Sequence, residues 1–514
     1  MQKTSVIAGA LTLTASGIAV RILGFFYRIY MVNAIGDEGM GLFQLIMPVY
    51  MLMWSITASG FTTTISKMTS QENARQTWGN IRVIMRKSLE MCLVISIISA
   101  LILFLLSGFL SVNVLKDART EIPLKALAFA IPFMSAGSCI RGCFFGMQES
   151  RIPAISQIIE QIVRLSALFV FAPILVEKGL TYAALCAVIG IVAGETISFI
   201  YVFFYYIKFS KKHFPGSKIT RKPSKISSEI RKMAFPLTLT RITASSLAAA
   251  ENILIPQRLS LYSGETDPLA SYGRLTGMAM PLIQLPSSFL TALAISLVPA
   301  VSKAKAVQKN ISKTISRALI FTIITGIGAA AVFAVFPKEI CVVIYNQRDL
   351  GALVMKLAFC APFIYLQITL SGILNGLGNQ LFLFKLSVIS SVINVFFIYF
   401  LVPQFGVNAF IAGVLVSLCI CSGLSLGKLN SQTQLKFSLP KNIAKPLLCA
   451  AASSLVTKCV QNIIPASRFA FFGLIIFLII SYFGFLMALG VFSFKDIKFI
   501  FFSQKKNPAS SADI

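Results

Sequence analysis

Acidic residues are scarce. Lysine and arginine number 46 against 18 aspartates and glutamates, histidine occurs once (His213), and no aspartate lies within the apolar core of any long hydrophobic run. The ten cysteines fall almost entirely inside apolar runs, so the loop-borne ligand pairs of a metal site or a disulfide framework are missing. Cys139 and Cys143, one helical turn apart, and the near neighbours Cys419 and Cys421 read as small apolar side chains. No metal and no cofactor is expected. The outer loops are mostly short and carry no repeated acidic motif, which argues against a membrane enzyme such as a glycan polymerase or glycosyltransferase. Charge of either sign is also low, at 12% of residues against 56% hydrophobic, with a mean hydropathy of +0.81. A soluble domain of this size needs a far more polar surface, and a bilayer removes that need.

What is present is a series of apolar segments. Fourteen reach spanning length, against a requirement of about 20 residues each, from 5–33 at one end to 441–460 and 467–492 at the other. The first is too long for a signal-peptide core and is read as an uncleaved spanning helix. The net charge of +28 would suggest nucleic acid in a soluble protein, but these charges cluster in alternate loops. Residues 67–87, 208–232 and 303–317 are rich in lysine and arginine, whereas "NAIGDEG" and "YSGETDP" are acidic or mixed. The clusters are topology signals that place both termini of a multi-pass membrane protein in the cytoplasm.

The chain repeats itself. "LAFAIPF" at 127–133 matches "LAFCAPF" at 357–363, Gly142 and Gly146 match Gly372 and Gly376, and Pro173 matches Pro403, all at one offset. That offset spans six helices, an even number, so both copies share one membrane orientation. The expected fold is all-α and integral to the membrane: two parallel-repeat six-helix bundles around a central cavity, plus two C-terminal helices. The expected division is 1–210 for the first bundle, 211–231 for a basic cytoplasmic linker, 232–430 for the second bundle, and 431–514 for two helices and a cytoplasmic tail. Paired bundles of this kind suit alternating access.

Charges inside the apolar segments cost enough to be weighed singly. Arg21 and Arg28, in "VRILGFFYRIY", are seven residues apart and share one helix face with Gly17 and Gly24. Arg274, in "SYGRLTGMAM", opens the eighth span on its outer side. Arg241 and Glu251 lie ten residues apart in the seventh. Glu160 and Arg164 can pair locally, being four apart. Glu195 has no local partner and is a candidate for ion coupling. Arginines outnumber glutamates in these cores, which suits a phosphate or diphosphate ligand better than an organic cation.

"VRILGFFYR" followed by "IGDEGMGLFQLIMPVY", with "LTRITASSLAAAENILIPQRL" in the seventh span, resembles the polysaccharide-transporter branch of the multidrug/oligosaccharidyl-lipid/polysaccharide exporter superfamily. Within it the likeness is to the stage V sporulation protein B-like group, relatives of the lipid II flippases. The resemblance implies a flippase of a bacterial cell membrane for an undecaprenyl-diphosphate-linked glycan, with a role in spore cortex or cell-envelope synthesis. It implies that Arg21, Arg28 and Arg274 hold the diphosphate; Arg241, Glu251 and Glu195, read from their own positions, are further cavity or ion-coupling candidates. The implied partners are the lipid-linked glycan, membrane lipids and envelope-synthesis proteins. This chain departs from the flippase pattern in the second span, where "MLMWSITASGFTTTIS" carries no arginine, and Asp37 and Glu38 stand only near the position of the flippase's acidic residue. Two alternatives stay open: an ion-coupled drug exporter of the same superfamily, which would need Glu195 or Glu251, and a non-transporting scaffold of the envelope machinery.

Overall fold

The computed structural model describes residues 2–215, 217–306, 312–433, 439–463 and 468–491, and among them there is helix and turn but no strand. The expected cytoplasmic tail after residue 491 and Lys309 of the third basic loop lie outside the described residues. The contacts group the chain into two compact units, one running to Met278 and including Val395–Ala409, the other made of Ala279–Asn394 and the residues from Phe410 onward.

The first unit opens with α1 (Gln2–Trp54), a 53-residue helix broken at Gly36, whose φ of 71° and ψ of −177° suit a residue without a Cβ. The break separates the first two predicted spans. A π-helical turn at Ser55–Ser59 leads into α2 (Gly60–Ala74). The unit continues through α3 (Trp78–Phe109), α4 (Glu121–Ala128), α5 (Ala130–Gly146), α6 (Arg151–Leu175), α7 (Leu180–His213) and α8 (Pro223–Leu259). A short α9 (Pro268–Tyr272), capped by the Asp267 carboxylate on the Ala270 N–H, runs into a π-helical segment at Gly273–Ala279. The second unit holds α10 (Met280–Gln284), α11 (Ser287–Ala306), α12 (Ser312–Val335), α13 (Pro337–Tyr345), α14 (Leu350–Ala358), α15 (Ala361–Gly376) and most of α16 (Gln380–Phe396). After α17 (Val402–Phe405), which belongs to the first unit, come α18 (Val407–Thr433), α19 (Leu439–Gln461) and α20 (Arg468–Ala488).

Among the described residues nine helices are long and apolar enough to cross a membrane, and up to twelve if each of three bent pairs counts as one span. The stretch Ala15–Ala74 passes as one 60-residue piece although Gly36 divides it, and α8 is not among those that pass. On α3 the exposed side is Val94, Ile97, Ile98, Leu101 and Leu105, while Ser88, Cys92, Ser96 and Ser107 are buried. Apolar residues outward and small polar ones inward is the arrangement a lipid solvent selects. Ser96 and Ser107 meet their hydrogen-bonding needs on their own helix, at Leu93 O and Phe104 O.

The repeat predicted from sequence recurs as packing within each unit. In the first, a Cβ on Gly142 of α5 would stand 2.8 Å from Thr62 O of α2, and one on Gly146 would stand 2.5 Å from Ser66 O. In the second, a Cβ on Gly372 or Gly376 of α15 would stand 2.9 Å from Ala294 O or Val298 O of α11. Each of these glycine helices follows a bend, 44° between residues 118–128 and 130–146 and 52° between 350–358 and 361–376. Pro132 and Pro362 sit in the first turn after the bend, where a missing N–H costs no helical hydrogen bond.

The segment between α7 and α8 is clamped to the first unit. Glu72, 2% exposed, accepts from Thr77 Oγ1 (2.5 Å), Asn80 Nδ2 (2.7 Å) and Arg221 Nη1 (2.9 Å). Arg221 also pairs with Glu229, and Asn80 Oδ1 accepts the Thr220 N–H at 3.0 Å. Arg221→Ala removes a cation 2.9 Å from a buried carboxylate, leaving Arg75 at 3.9 Å, and is expected to lower unfolding stability by about 2 kcal/mol. Thermal unfolding in detergent checks this, and an unchanged midpoint would mean that the clamp carries no load.

Candidate functional site

Two of the three predicted arginines converge on one element. Arg28 of α1 is half-buried, and its Nη1 donates to Gly277 O at 3.1 Å. Arg274 lies three residues before Gly277, less than one turn back along the same π-helical segment, and its Nε donates to Asp37 Oδ2 at 2.7 Å. Their side-chain exposures are 40% for Arg274 and 20% for Asp37, so this ion pair is partly open to ligand. Arg21, seven residues before Arg28, lies on the same face of α1 and is exposed. Counting Arg28, Arg274 and Asp37 alone, the junction carries one net positive charge. The arginine pair is therefore set against a carboxylate that neutralises only half of it.

Local sequence explains why these groups can meet. A Cβ on Gly273 would stand 2.2 Å from Asp37 O and 2.6 Å from Gly41 N, and one on Gly41 would stand 2.1 Å from Leu269 O. Glycines on both sides let the two backbones touch, as small residues do in membrane bundles. The break at Gly36 puts Asp37 at the start of the second half of α1, facing Arg274. Single-turn π segments inside helices recur at functional sites. Beside the junction, Glu38 pairs with Arg119 at 2.7 Å, and Arg119 also binds Asp117 at 2.7 Å. The acidic "GDE" is thus engaged by two arginines from distant parts of the chain.

The remaining candidates are dispersed. Arg241 on α8 is exposed and lies over the Trp54 ring, 6.0 Å from its centroid. Glu251, ten residues on, is partly buried. Glu195, which has no local partner in the sequence, meets partners from distant parts of the chain. Arg164 Nη2 lies 3.1 Å from its Oε1 and Tyr50 OH donates to the same oxygen at 2.6 Å. These partners come from α6 and α1, 31 and 145 residues away, beyond the reach of any local spacing rule. The pairing of Glu160 with Arg164, predicted from their spacing, is present at 2.6 Å. Tyr50 and Tyr27 were absent from the predicted set. Their one sequence signal is a hydroxyl carried into an apolar run. Among the described residues no group of three or more histidine, cysteine, aspartate or glutamate side chains could hold a metal ion.

Comparison with known proteins gives a consistent picture. Residues 6–305 match the family described as polysaccharide biosynthesis protein, and residues 236–400 match the family described as MatE. The chain is 30% identical over 385 residues to the stage V sporulation protein B of Bacillus subtilis (strain 168), covering 74% of each. It is 29% identical over 214 residues to the lipid II flippase MurJ of the same organism, covering 38% of this chain and 39% of that one. Among solved structures, the lipid II flippase MurJ in an inward closed conformation superposes with a TM-score of 0.72 at 16% identity, covering 93% of this chain and 98% of that one. That last likeness speaks to the fold alone.

Proposed function

The chain belongs to the polysaccharide biosynthesis protein family, in the polysaccharide-transporter branch of the multidrug/oligosaccharidyl-lipid/polysaccharide exporters, and on that footing we propose that it is a flippase for an undecaprenyl-diphosphate-linked glycan. It is a multi-pass membrane protein of a transporter family and not an enzyme. The observation that carries the proposal is the meeting of Arg28 and Arg274 at the Gly273–Ala279 segment, within the unit that also holds Arg21. A diphosphate offers several anionic oxygens to planar guanidinium forks, the match that makes arginine preferable to lysine for phosphate recognition. Arg28 donates to a backbone carbonyl and Arg274 to a carboxylate oxygen, and a diphosphate offers both guanidinium groups additional anionic acceptors. The uncharged second span separates this chain from the arginine-bearing flippase pattern and supports a different glycan headgroup. The similarity to the sporulation relative supports a role in spore cortex or envelope synthesis.

Binding tests this reading. Purified protein should bind a short-chain polyprenyl diphosphate about ten times more tightly than the matching monophosphate, which lacks one phosphate contact worth about 1.5 kcal/mol. Equal affinities would remove the diphosphate from the proposal.

Topology is a separate expectation. The proposed orientation puts Ser217 in the cytoplasm and Thr266 outside. Single cysteines at these positions, in a cysteine-free background, should label from opposite sides of intact cells. Labelling from one side would overturn the proposed orientation.

A further inference from the structure

A cavity of about 660 Å³ lies between α2 and the end of α5, and none of the arginines of the α1 junction lines it. Its lining includes Thr62, Ser66, Lys67 and Ser70 of α2, Phe145 of α5 and Gln148 just beyond α5. Thr62, Ser66 and Ser70 follow one another at four-residue spacing and share one face of α2. Thr62 Oγ1 donates to Ala58 O at 2.9 Å, which leaves its lone pairs for a ligand. Among the described residues the side chains of Ser66, Lys67, Ser70 and Gln148 make no hydrogen bond to the protein.

The internal repeat supplies a comparison within the molecule. The glycine helices α5 and α15 pack alike, but the residues they pack on differ. The carbonyls that face Gly142 and Gly146 belong to Thr62 and Ser66, and those that face Gly372 and Gly376 belong to Ala294 and Val298. The second unit makes the same helix contact without hydroxyls, so packing does not demand them. The backbone differs in the same sense. Gln148, two residues after Gly146, has a φ of 63°, in the left-handed region. Its counterpart two residues after Gly376 is Gly378, with a φ of 80°. Glycine adopts this conformation freely, whereas a residue with a Cβ is strained there. The second unit uses the unstrained residue and the first keeps a glutamine on the cavity wall. Backbone strain of this kind gathers at ligand sites.

We propose that this cavity binds the sugar part of the substrate, a glycan headgroup bearing a single carboxylate. Hydroxyl and amide groups both donate and accept, as sugar hydroxyls require. Phe145, half-buried, offers a flat apolar face to a sugar ring. Lys67 is the one charged residue among the described lining, which suits one carboxylate. A diphosphate is better met by guanidinium forks such as those of Arg28 and Arg274. The volume falls within the roughly 300–1,000 Å³ of small-ligand sites. The second span, uncharged through "MLMWSITASGFTTTIS", thus brings hydroxyls to the headgroup in place of charge. That the sugar belongs to a lipid-linked substrate rests on the flippase reading, whose orientation puts this end of α2 in the cytoplasm; the sugar site itself does not.

Titrations of the full-length protein in detergent test this with two probes. The first is a water-soluble disaccharide carrying one carboxylate, with neither lipid nor diphosphate. It should bind the wild type, and Ser66→Ala and Gln148→Gly should each weaken it about three- to tenfold, the effect of one lost hydrogen bond. Gln148→Gly relieves the left-handed backbone, so its thermal midpoint should stand at or above that of wild type. The methyl ester of the disaccharide should bind the wild type about as weakly as the free acid binds Lys67→Gln. No binding of the disaccharide, or binding that either Ser66→Ala or Gln148→Gly leaves unchanged, would overturn the site. The second probe is a short-chain polyprenyl diphosphate carrying the same disaccharide, compared with the bare diphosphate. The glycan should add affinity in wild type and none in Gln148→Gly, while Arg28→Ala weakens both lipids alike. A disaccharide that binds as expected but adds nothing to the diphosphate would leave a sugar site and overturn its part in the flippase. Diphosphate binding with no disaccharide binding would overturn the sugar site and leave the flippase reading standing.

Discussion

Arg28→Ala is expected to weaken binding of a diphosphate-linked substrate about 10–150-fold, the effect of losing a charge-assisted contact worth about 1.5–3 kcal/mol. The side chain stands in an apolar run where alanine would insert more cheaply, so its presence calls for a ligand or a partner. One of its observed partners is the carbonyl of Gly277, a neutral acceptor that binds a guanidinium less strongly than a phosphate oxygen does. Arg28→Lys should recover part of the loss, because lysine keeps the charge without the planar fork. Transport or complementation is to be compared at equal membrane abundance. Normal activity of Arg28→Ala would make the arginine structural and leave the diphosphate without its main ligand.

The second large effect is steric. Gly273→Val places a branched side chain where even a Cβ would stand 2.2 Å from Asp37 O and 2.6 Å from Gly41 N. Overpacking a tight contact costs about 1–3 kcal/mol and sometimes more, and here the neighbours are backbone atoms that cannot rotate away. The two backbones must separate, breaking the 2.7 Å bond between Arg274 and Asp37. Transport should fall even where the protein still reaches the membrane. Gly24→Ala is the matched control: its Cβ would meet only Gln161 Oε1 at 3.7 Å, an ordinary contact. Equal thermal midpoints and equal transport for the two variants would show that close approach at residue 273 is not required.

Much of the architecture was legible because it depends on periodicities that a chain displays openly. Length and hydropathy marked the spans, and a constant offset revealed the repeat, later met as glycine-to-carbonyl packing at Gly142 and Gly146 and again at Gly372 and Gly376. The pairing of Glu160 with Arg164 was legible because helix geometry sets neighbours four residues apart. The partners of Glu195 and Arg274 were not. Arg164 and Tyr50 reach Glu195, and Asp37 reaches Arg274 across 237 residues, only once helices have packed. The π-helical character of Gly273–Ala279 was hidden as well, since a one-residue change of helical register leaves no mark on hydropathy. The break of α1 at Gly36 lay in plain view as a glycine beside acidic residues, yet its part in aiming Asp37 emerges only from the folded chain.

The most direct measurement follows a labelled undecaprenyl-diphosphate-linked glycan in vesicles made with the purified protein, using a headgroup-specific enzyme that reaches only the outer leaflet. A flippase should make the inner-leaflet pool accessible far faster than protein-free vesicles do, with Arg28→Ala slowing that exposure and Gly24→Ala leaving it unchanged. Vesicles containing the folded wild-type protein that protect the inner pool as long as empty ones, whatever gradient is imposed, would contradict the proposal and leave a membrane scaffold built on a transporter fold.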